Sequence, residues 1–312
     1  MKNLKTIFMG TPEFGAVILR GLIENGLRPD FVVTAPDKPV GREQIQTPPP
    51  VKTVAQENGI LVLQPEKLKE IIQKTKESEP DLIIVAAYGK LIPKEIIDIP
   101  KYGILNAHPS LLPKYRGSAP IQSVILNGDE TTGTTIMLIG EKLDSGPILS
   151  QKEIEVERRE TYKTLHDKLS VLSRDLLILT IPEWISGKIK GQKQDEGKAT
   201  YCKEIKKEDG EINWQDSALK IDRKIRAFDP WPGAFTSWKG KIIKILKARA
   251  YVSPQGKGYP VGKVLIVPQN EIGIQCGKDY LAIEELQLEG KTPVKSEDFI
   301  RGHEDFLEAT LK

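Results

Sequence analysis

The residues best suited to chemistry are Asn106 and His108, which lie two positions apart after the apolar residues Ile104 and Leu105. In an extended strand this spacing points both side chains to one face. Pro109 favours an extended backbone at His108, which keeps the two polar groups side by side. A carboxamide beside a neutral imidazole can polarise a carbonyl and handle one proton, as acyl transfer through a tetrahedral intermediate requires. The alternative is that they are ordinary turn residues that close a strand.

Asp144 is a third candidate, because it follows an apolar strand and opens a tight Asp-Ser-Gly-Pro turn. Aspartate is a common turn former, so the position alone indicates a structural role as readily as a catalytic one. Ser110 has no neighbouring base, which indicates a turn residue rather than a nucleophile. The pattern therefore predicts no covalent enzyme intermediate.

Three segments resemble the signature of the formyltransferases that use 10-formyltetrahydrofolate. They are Asn-x-His at 106–108, Ser-Leu-Leu-Pro-x-Tyr-Arg-Gly at 110–117 and Leu-Asp-x-Gly at 143–146. Further stretches resemble the branch of this family that formylates methionyl-tRNA: residues 9–15, 36–42, 86–89, 118–121 and 225–234. The resemblance extends over nearly the whole chain.

This resemblance implies an enzyme of translation initiation and one-carbon metabolism. It would transfer the formyl group of 10-formyltetrahydrofolate, its cosubstrate, to the free α-amino group of methionyl initiator tRNA, without a metal. Asn106 and His108 would bind the formyl oxygen, and Asp144 would accept or relay the proton of the amine and orient His108. Which of His108 and Asp144 moves which proton stays open.

The resemblance also implies two sets of binding residues. The folate would contact apolar walls and main-chain groups of Ser110, Leu111, Leu112, Pro113, Tyr88, Gly89 and Leu91. The loop at 36–50, with Lys38 and Arg42, would reach the acceptor stem of the tRNA. Apart from the resemblance, basic residues near the linker and on the next helix are candidates for contacts with the tRNA backbone: Lys203, Lys206, Lys207, Arg223, Lys224 and Arg226. Residues 110–113 could instead be a buried segment that leads into a helix. The cations could instead be solvated side chains on an exposed face.

Two rival functions share some of these residues. A formyltransferase that acts on an amino sugar nucleotide would have the same Asn, His and Asp, with a second domain that lacks tRNA affinity. A folate-sensing or RNA-binding protein without turnover is the other rival, favoured only if one of the three were missing, and all three are present.

Strand and helix patterns alternate from residue 5 to residue 181, which predicts an α/β domain with a doubly wound, mostly parallel, Rossmann-like sheet. The binding crevice should lie at the carboxyl ends of the 82–87 and 104–108 strands, and strands within 134–155 should add sheet edges. Residues 36–50 contain too many prolines for a regular element. A helix over 160–181 should bury one stripe of leucines: Leu165, Leu169, Leu172, Leu176 and Leu179.

The composition changes to Lys, Gly, Gln and acidic residues between Gly187 and Asp209. We therefore expect a catalytic domain at 1–189, a linker at 190–208 and a smaller domain at 209–312. Five short β-type runs between residues 234 and 288 suit a small barrel. The resemblance implies that this second domain is an OB-like β-barrel that binds tRNA.

The 312 residues carry a net charge of +3 and 39% hydrophobic residues, which suits a packed protein with at most a local basic surface. Cys202 and Cys276 are too few and too far apart for a disulfide framework or a zinc site. No apolar run approaches the roughly 20 residues that span a bilayer. We expect a cytoplasmic, monomeric protein without a targeting segment or membrane partner.

Overall fold

The computed structural model describes residues 4–41, 44–251, 258–267 and 271–312. Contacts divide the chain into two compact units. Unit 1 contains the chain up to Pro120, Thr131–Val156 and His166–Lys203, and unit 2 contains Ile121–Glu130, Glu157–Leu165 and Glu204–Lys312. Residues 190–203, where we expected a linker, therefore pack with unit 1.

The strands of unit 1 follow one another along the chain. They are Thr6–Gly10 (β1), Phe31–Val33 (β2), Lys38–Val40 (β3), Ile45–Thr47 (β4), Leu61–Leu63 (β5), Leu82–Ala86 (β6), Ile104–His108 (β7), Arg116–Gly117 (β8), Thr131–Leu138 (β9), Ile148–Glu155 (β10) and Tyr201–Cys202 (β11). Seven of them form one sheet in the order β10-β9-β7-β6-β1-β2-β5. Pairing is parallel from β7 to β5, and antiparallel where β9 and β10 extend the sheet. The mostly parallel sheet with added edge strands is confirmed.

The helices lie between these strands and continue into unit 2. They are Glu13–Glu24 (α1), Pro50–Glu57 (α2), Ile72–Ser78 (α3), Lys94–Ile97 (α4), Pro120–Asn127 (α5), Tyr162–Ile185 (α6), Ala218–Phe228 (α7) and Ser296–Arg301 (α8). Short 3-10 helices occupy Leu68–Ile71, Glu196–Lys198, Lys207–Gly210 and Glu304–Glu308. Across the described ranges, none of the helices combines the length and apolarity that crossing a bilayer requires.

The central strands of the sheet are buried on both faces, as expected when helices cover each side. All five residues of β1 and all five of β6 are buried. On one face, Ile83 and Val85 pair in register with Ile104 and Asn106 of β7. The apolar face of the sheet therefore continues along β7 into the polar residues at its carboxyl end.

The prediction that residues 36–50 hold no regular element is wrong. β3 and β4 form an antiparallel ribbon in which Lys38 pairs with Thr47, and α2 begins at Pro50. A two-stranded ribbon consists of edge strands, so a proline without an N–H is tolerated there, and proline suits the first position of a helix. At the base of the ribbon, Lys52 donates to both carboxylate oxygens of Asp37 at 2.8 and 2.7 Å. These hydrogen bonds from Lys52 lower the pKa of the Asp37 carboxyl.

The helix predicted over 160–181 is present as α6, and Leu165 and Leu169 are buried as predicted. The buried stripe departs from the prediction in the second half of the helix. Leu179 is 67% exposed, whereas Ser173 and Leu177 are buried. Buried hydroxyl pairs explain the difference, because Ser173 bonds to Thr134 of β9 at 2.6 Å. Such pairs satisfy polar groups on the packed face, so leucine positions alone do not identify it.

Unit 2 contains the antiparallel strands Ala234–Trp238 (β12), Lys241–Tyr251 (β13), Val264–Val267 (β14), Glu271–Gln275 (β15), Tyr280–Leu288 (β16) and Val294–Lys295 (β17). They pair in the order β12-β13-β16-β15-β14, with β17 against β16. Ile221 and Ile225 of α7 pack into the core of this sheet. The five predicted runs are strands, and among the described residues the pairing path stays open between β12 and β14. Barrel closure stays a prediction.

Candidate active site

Asn106 and His108 lie at the carboxyl end of β7 and point to the same face of the sheet, as their spacing predicts. Ile104 lies on that face within the apolar core, so the core side of the strand ends in the two polar groups. His108 is only 4% exposed, whereas Asn106 is partly exposed. The buried imidazole therefore has fixed surroundings, and the carboxamide is accessible to a ligand.

The imidazole of His108 lies between two hydrogen-bond acceptors. Its Nε2 is 3.0 Å from the carbonyl oxygen of Tyr115, and a carbonyl can only accept, so Nε2 carries the hydrogen. Its Nδ1 is 3.8 Å from Oδ2 of Asp144, which is longer than a hydrogen bond. A movement of about 1 Å would bring Nδ1 and Oδ2 within hydrogen-bond distance. Nδ1 of the ring therefore faces the Asp144 carboxylate.

Asp144 lies in the connection between β9 and β10, with a backbone φ of +46° that L residues rarely adopt. Its carboxylate is 12% exposed, and Oδ2 accepts a 2.9 Å hydrogen bond from the main-chain N–H of Gly117. The next glycine, Gly146, has no room for a side chain, because a Cβ there would meet the Leu138 carbonyl oxygen. The turn that made Asp144 ambiguous in the sequence therefore holds its carboxylate beside His108.

A cluster of polar side chains that sequence patterns did not assign to the site contacts the main chain of Asp144 through Gln194. Arg116 is 1% exposed, and its guanidinium donates to Glu196 at 2.8 and 2.9 Å and to Gln194 at 2.9 and 3.0 Å. The hydrogen bonds with Glu196 raise the pKa of Arg116 and lower the pKa of Glu196. Gln194 and Glu196 lie in the stretch that composition marked as a linker, where no local pattern distinguishes them.

The segment Ser110 to Pro113, predicted to bind folate, is attached to β9 and β10. Thr135 donates from its hydroxyl to the Ser110 carbonyl at 2.6 Å and accepts from the Leu112 N–H at 3.1 Å. Ser110 and Leu112 are buried, and the Ser110 hydroxyl donates to a carbonyl within the same turn. Only Leu111 and Pro113 of this segment are partly exposed. A ligand would contact these two side chains on a rigid support.

Tyr88, Gly89 and Leu91 follow β6, and the structure places them in different surroundings. Tyr88 is 4% exposed in the core, and burial raises the pKa of its hydroxyl to about 12. Within the part of the chain that the structure describes, this hydroxyl has no hydrogen-bond partner. Gly89 has a φ of +79° with open space at its Cβ position, and Leu91 is 82% exposed. Gly89 and Leu91 are therefore open to a ligand, whereas the Tyr88 side chain lies in the apolar core.

The predicted tRNA-binding cations differ in exposure: four lysines are exposed, and the three cations of α7 are partly buried. Lys38 on β3 and the lysines at 203, 206 and 207 are exposed. Arg42 lies outside the described residues.

The three cations of α7 instead have partners within unit 2. Arg223 donates to the Asn127 carbonyl at 3.1 Å, and Lys224 donates to the Glu211 carbonyl at 2.7 Å. Burial lowers the pKa of Lys224. Arg226, with a side chain 11% exposed, donates to Asp222 at 3.0 Å and to the Glu160 carbonyl at 2.7 Å. These contacts indicate a structural role for Arg226 in particular.

Comparison with known families matches two profiles to this chain. The profile described as "Formyl transferase" covers residues 2–181, and "Formyl transferase, C-terminal domain" covers residues 204–304. The chain belongs to the formyl transferase family. It is 47% identical to the methionyl-tRNA formyltransferase of Bacillus velezensis over 301 residues, which are 96% of this chain and 94% of that protein.

Solved structures of two other proteins share the fold. The N-formyltransferase of Helicobacter canadensis, in complex with folinic acid and dTDP-3-aminofucose, has a TM-score of 0.67 and 21% identity, with 90% of this chain and 99% of that chain covered. HypX of Aquifex aeolicus, in complex with tetrahydrofolic acid, has a TM-score of 0.62 and 18% identity, with 98% of this chain covered. This formyl transferase spans about half the length of HypX (48%).

For a formyl transferase, the arrangement at the end of β7 has suitable chemistry. Asn106 offers a carboxamide, His108 offers an imidazole, and Asp144 offers a carboxylate that lies 3.8 Å from Nδ1 of that ring. Among the described residues, no group of three or more His, Cys, Asp or Glu could hold a metal ion. A carboxamide, an imidazole and a carboxylate are groups that can stabilise an oxyanion and transfer a proton.

Proposed function

We propose that this chain transfers the formyl group of 10-formyltetrahydrofolate to the α-amino group of methionyl initiator tRNA. The observation that carries the proposal is the facing pair of His108 and Asp144 beside Asn106, at the carboxyl edge of the sheet. The relative from Bacillus velezensis, similar over almost its whole length, supports this acceptor.

The α-amino group must attack as the neutral amine, and its reference pKa is about 7.7 to 8. Attack forms a bond from the amine nitrogen to the formyl carbon and moves negative charge onto the formyl oxygen. The Asn106 carboxamide and His108 would stabilise this oxyanion. Asp144 would accept or relay the proton lost by the amine. The bond from carbon to N10 then breaks, and the departing nitrogen takes up the proton that the amine released, relayed through Asp144 and His108.

The folate would lie against Leu111 and Pro113 on one side and Gly89 and Leu91 on the other. Both pairs are accessible, and both follow strands that end at the same sheet edge. Apolar walls with main-chain polar groups suit a flat heterocycle. Tyr88 and Leu112 would act through packing behind this surface.

The tRNA would contact exposed cations that have little structural use within the chain. Lys38 on the β3–β4 ribbon and Arg42 would position the acceptor end, while Lys203, Lys206 and Lys207 would contact the phosphate backbone. Arg223 and Lys224 would contribute only if tRNA displaced their carbonyl partners, and Arg226 is the weakest candidate of the set.

Label transfer from 10-formyltetrahydrofolate to alternative acceptors tests the proposal. Pure protein is mixed with charged initiator tRNA, with elongator methionyl-tRNA or with an amino sugar nucleotide. We expect efficient transfer to the charged initiator tRNA. Transfer to the amino sugar nucleotide alone would establish the rival acceptor, and folate binding without transfer to any of them would indicate a binding protein.

A further inference from the structure

The chain beyond α6 returns to the candidate active site. We call residues 192–202 the return segment. Gln192 exchanges two main-chain hydrogen bonds of 2.8 Å with Ile148 of β10. The Thr200 N–H donates to the Pro113 carbonyl at 3.2 Å, and the Thr200 hydroxyl accepts from the Tyr115 N–H at 2.8 Å. β11, at the end of the segment, pairs in parallel with β8. The return segment is thus attached both to β10 and to residues 113–117.

Gln194 lies within the return segment and uses both ends of its side chain. It is 4% exposed. Its Nε2 donates to the carbonyl oxygens of Asp144 and Gly146 at 2.9 and 2.8 Å. Its Oε1 accepts from Nε and Nη2 of Arg116 at 3.0 and 2.9 Å. A buried carboxamide with two donations and two acceptances has one strongly preferred orientation.

These contacts close a ring of bonds around Asp144. Gln194 binds the Asp144 carbonyl on one side, while the Gly117 N–H binds the Asp144 carboxylate on the other. Gly117 follows Arg116, which binds Gln194 in turn. Residue 144 holds a left-handed φ of +46°, a conformation that persists only where surrounding contacts enforce it. The carboxamide of Gln194 supplies the contact on the main-chain side.

We propose that Gln194 is a positioning residue for formyl transfer, which fixes the Asp144 carboxylate relative to His108. Arg116 orients the Gln194 carboxamide, and Glu196 holds Arg116 from the solvent side through a carboxylate that is 62% exposed. This inference rests on the proposed function, since it concerns the same reaction. Misplacement of Asp144 by a fraction of the 3.8 Å separation should slow the chemical step, because transfer rates depend steeply on alignment.

The test compares Gln194→Met with the matched control Gln192→Met in the full chain. Methionine keeps a similar length and removes the donor and acceptor together. Gln192 has an exposed side chain two residues away, and its main-chain bonds are available to any residue but proline. We expect Gln194→Met to lower kcat by about ten- to a hundredfold. The KM values for 10-formyltetrahydrofolate and charged initiator tRNA should stay within about twofold, and Gln192→Met should resemble wild type.

Glu196→Gln provides a second variant that changes only an exposed side chain and should fold. It weakens the hold on Arg116, so we expect a loss in kcat of about threefold with unchanged KM values. Wild-type kcat in both Gln194→Met and Glu196→Gln would overturn the inference, as would an equal loss in Gln192→Met or a loss confined to KM. If Gln194→Met does not fold, wild-type kcat in Glu196→Gln alone overturns it. Failure of the wild-type chain to formylate charged initiator tRNA would overturn the proposed function, and this inference with it.

Discussion

The Asp144 carboxylate accepts a 2.9 Å hydrogen bond from the main-chain N–H of Gly117, and this bond joins the two connections that build the site. One connection runs from β7 to β8 and begins at His108, and the other links β9 to β10. Because the acceptor is the same Oδ2 that faces the His108 ring, Gly117 limits how the carboxylate can rotate. Gly117 therefore holds the Asp144 carboxylate in the orientation that faces His108.

Tyr88→Phe should stabilise the protein, because it removes a buried hydroxyl without a hydrogen-bond partner among the described residues. We expect a gain of about 1 kcal/mol in the free energy of unfolding at pH 7. The exposed Tyr259→Phe serves as control and should change stability by less than about 0.5 kcal/mol. The KM for folate should not change in either variant, since the Tyr88 ring lies in the core. Denaturant unfolding and steady-state kinetics measure both effects, and a raised folate KM in Tyr88→Phe would assign its hydroxyl to the ligand.

The same tyrosine predicts a pH dependence. Burial raises the pKa of Tyr88 from 10.0 to about 12, so the folded state favours the neutral phenol. This stability is fully present below pH 10 and is lost as the pH rises toward 12, because the unfolded chain releases the proton first. The free energy of unfolding of wild type should therefore fall relative to Tyr88→Phe across this window. Parallel curves for the two proteins would show that the buried phenol has its ordinary pKa.

Arg226→Ala should lower the stability of the protein, whereas Lys207→Ala should weaken its use of charged tRNA. Arg226 is nearly buried against Asp222, so its loss leaves a buried carboxylate with one partner fewer and should lower the melting temperature. Lys207 is exposed, and its loss should raise the KM for charged tRNA without changing the melting temperature. Thermal unfolding and kinetics distinguish the two. A raised tRNA KM with an unchanged melting temperature in Arg226→Ala would return that residue to the tRNA surface.

Arg42→Ala should raise the KM for charged tRNA and lower kcat/KM for this substrate. The KM for 10-formyltetrahydrofolate should not change. The reason is that this cation would position the acceptor end of the tRNA without contacting the folate. Arg158→Ala, which removes an exposed arginine, is the matched control. If Arg42→Ala left the KM for charged tRNA unchanged and raised the KM for 10-formyltetrahydrofolate, Arg42 would belong to the folate site instead.

A fragment that ends at Lys203 should fold and bind folate, whereas one that ends at Gln192 should be less stable. The shorter fragment lacks Gln194, Glu196 and Thr200, which bind the residues around Arg116. Both fragments lack the candidate lysines 206 and 207, so each should bind tRNA with a smaller salt dependence than the full chain. Equal affinity and equal salt slope for the full chain and the longer fragment would argue against a tRNA-binding second domain.

How far the sequence predicts the site depends on whether the relevant contacts are local. The shared face of Asn106 and His108 follows from strand periodicity, and the sheet follows from alternating strands and helices. The role of Gln194 has no local signal, because its partner Asp144 lies 50 residues away and the residues around it are polar. The buried face of α6 was misassigned at Leu179 for a related reason, since Ser173 is buried through a hydroxyl on another element.

Single-turnover transfer of the formyl group to charged initiator tRNA tests whether Asn106, His108 and Asp144 form one formyl-transferring site. Alanine at each of the three positions should reduce the transfer rate by about a hundredfold or more, while folate binding stays nearly intact. Ser145→Ala, in the same turn as Asp144, is the control and should transfer at the wild-type rate. Near wild-type transfer by His108→Ala or Asp144→Ala would show that these residues do not form the formyl-transferring site.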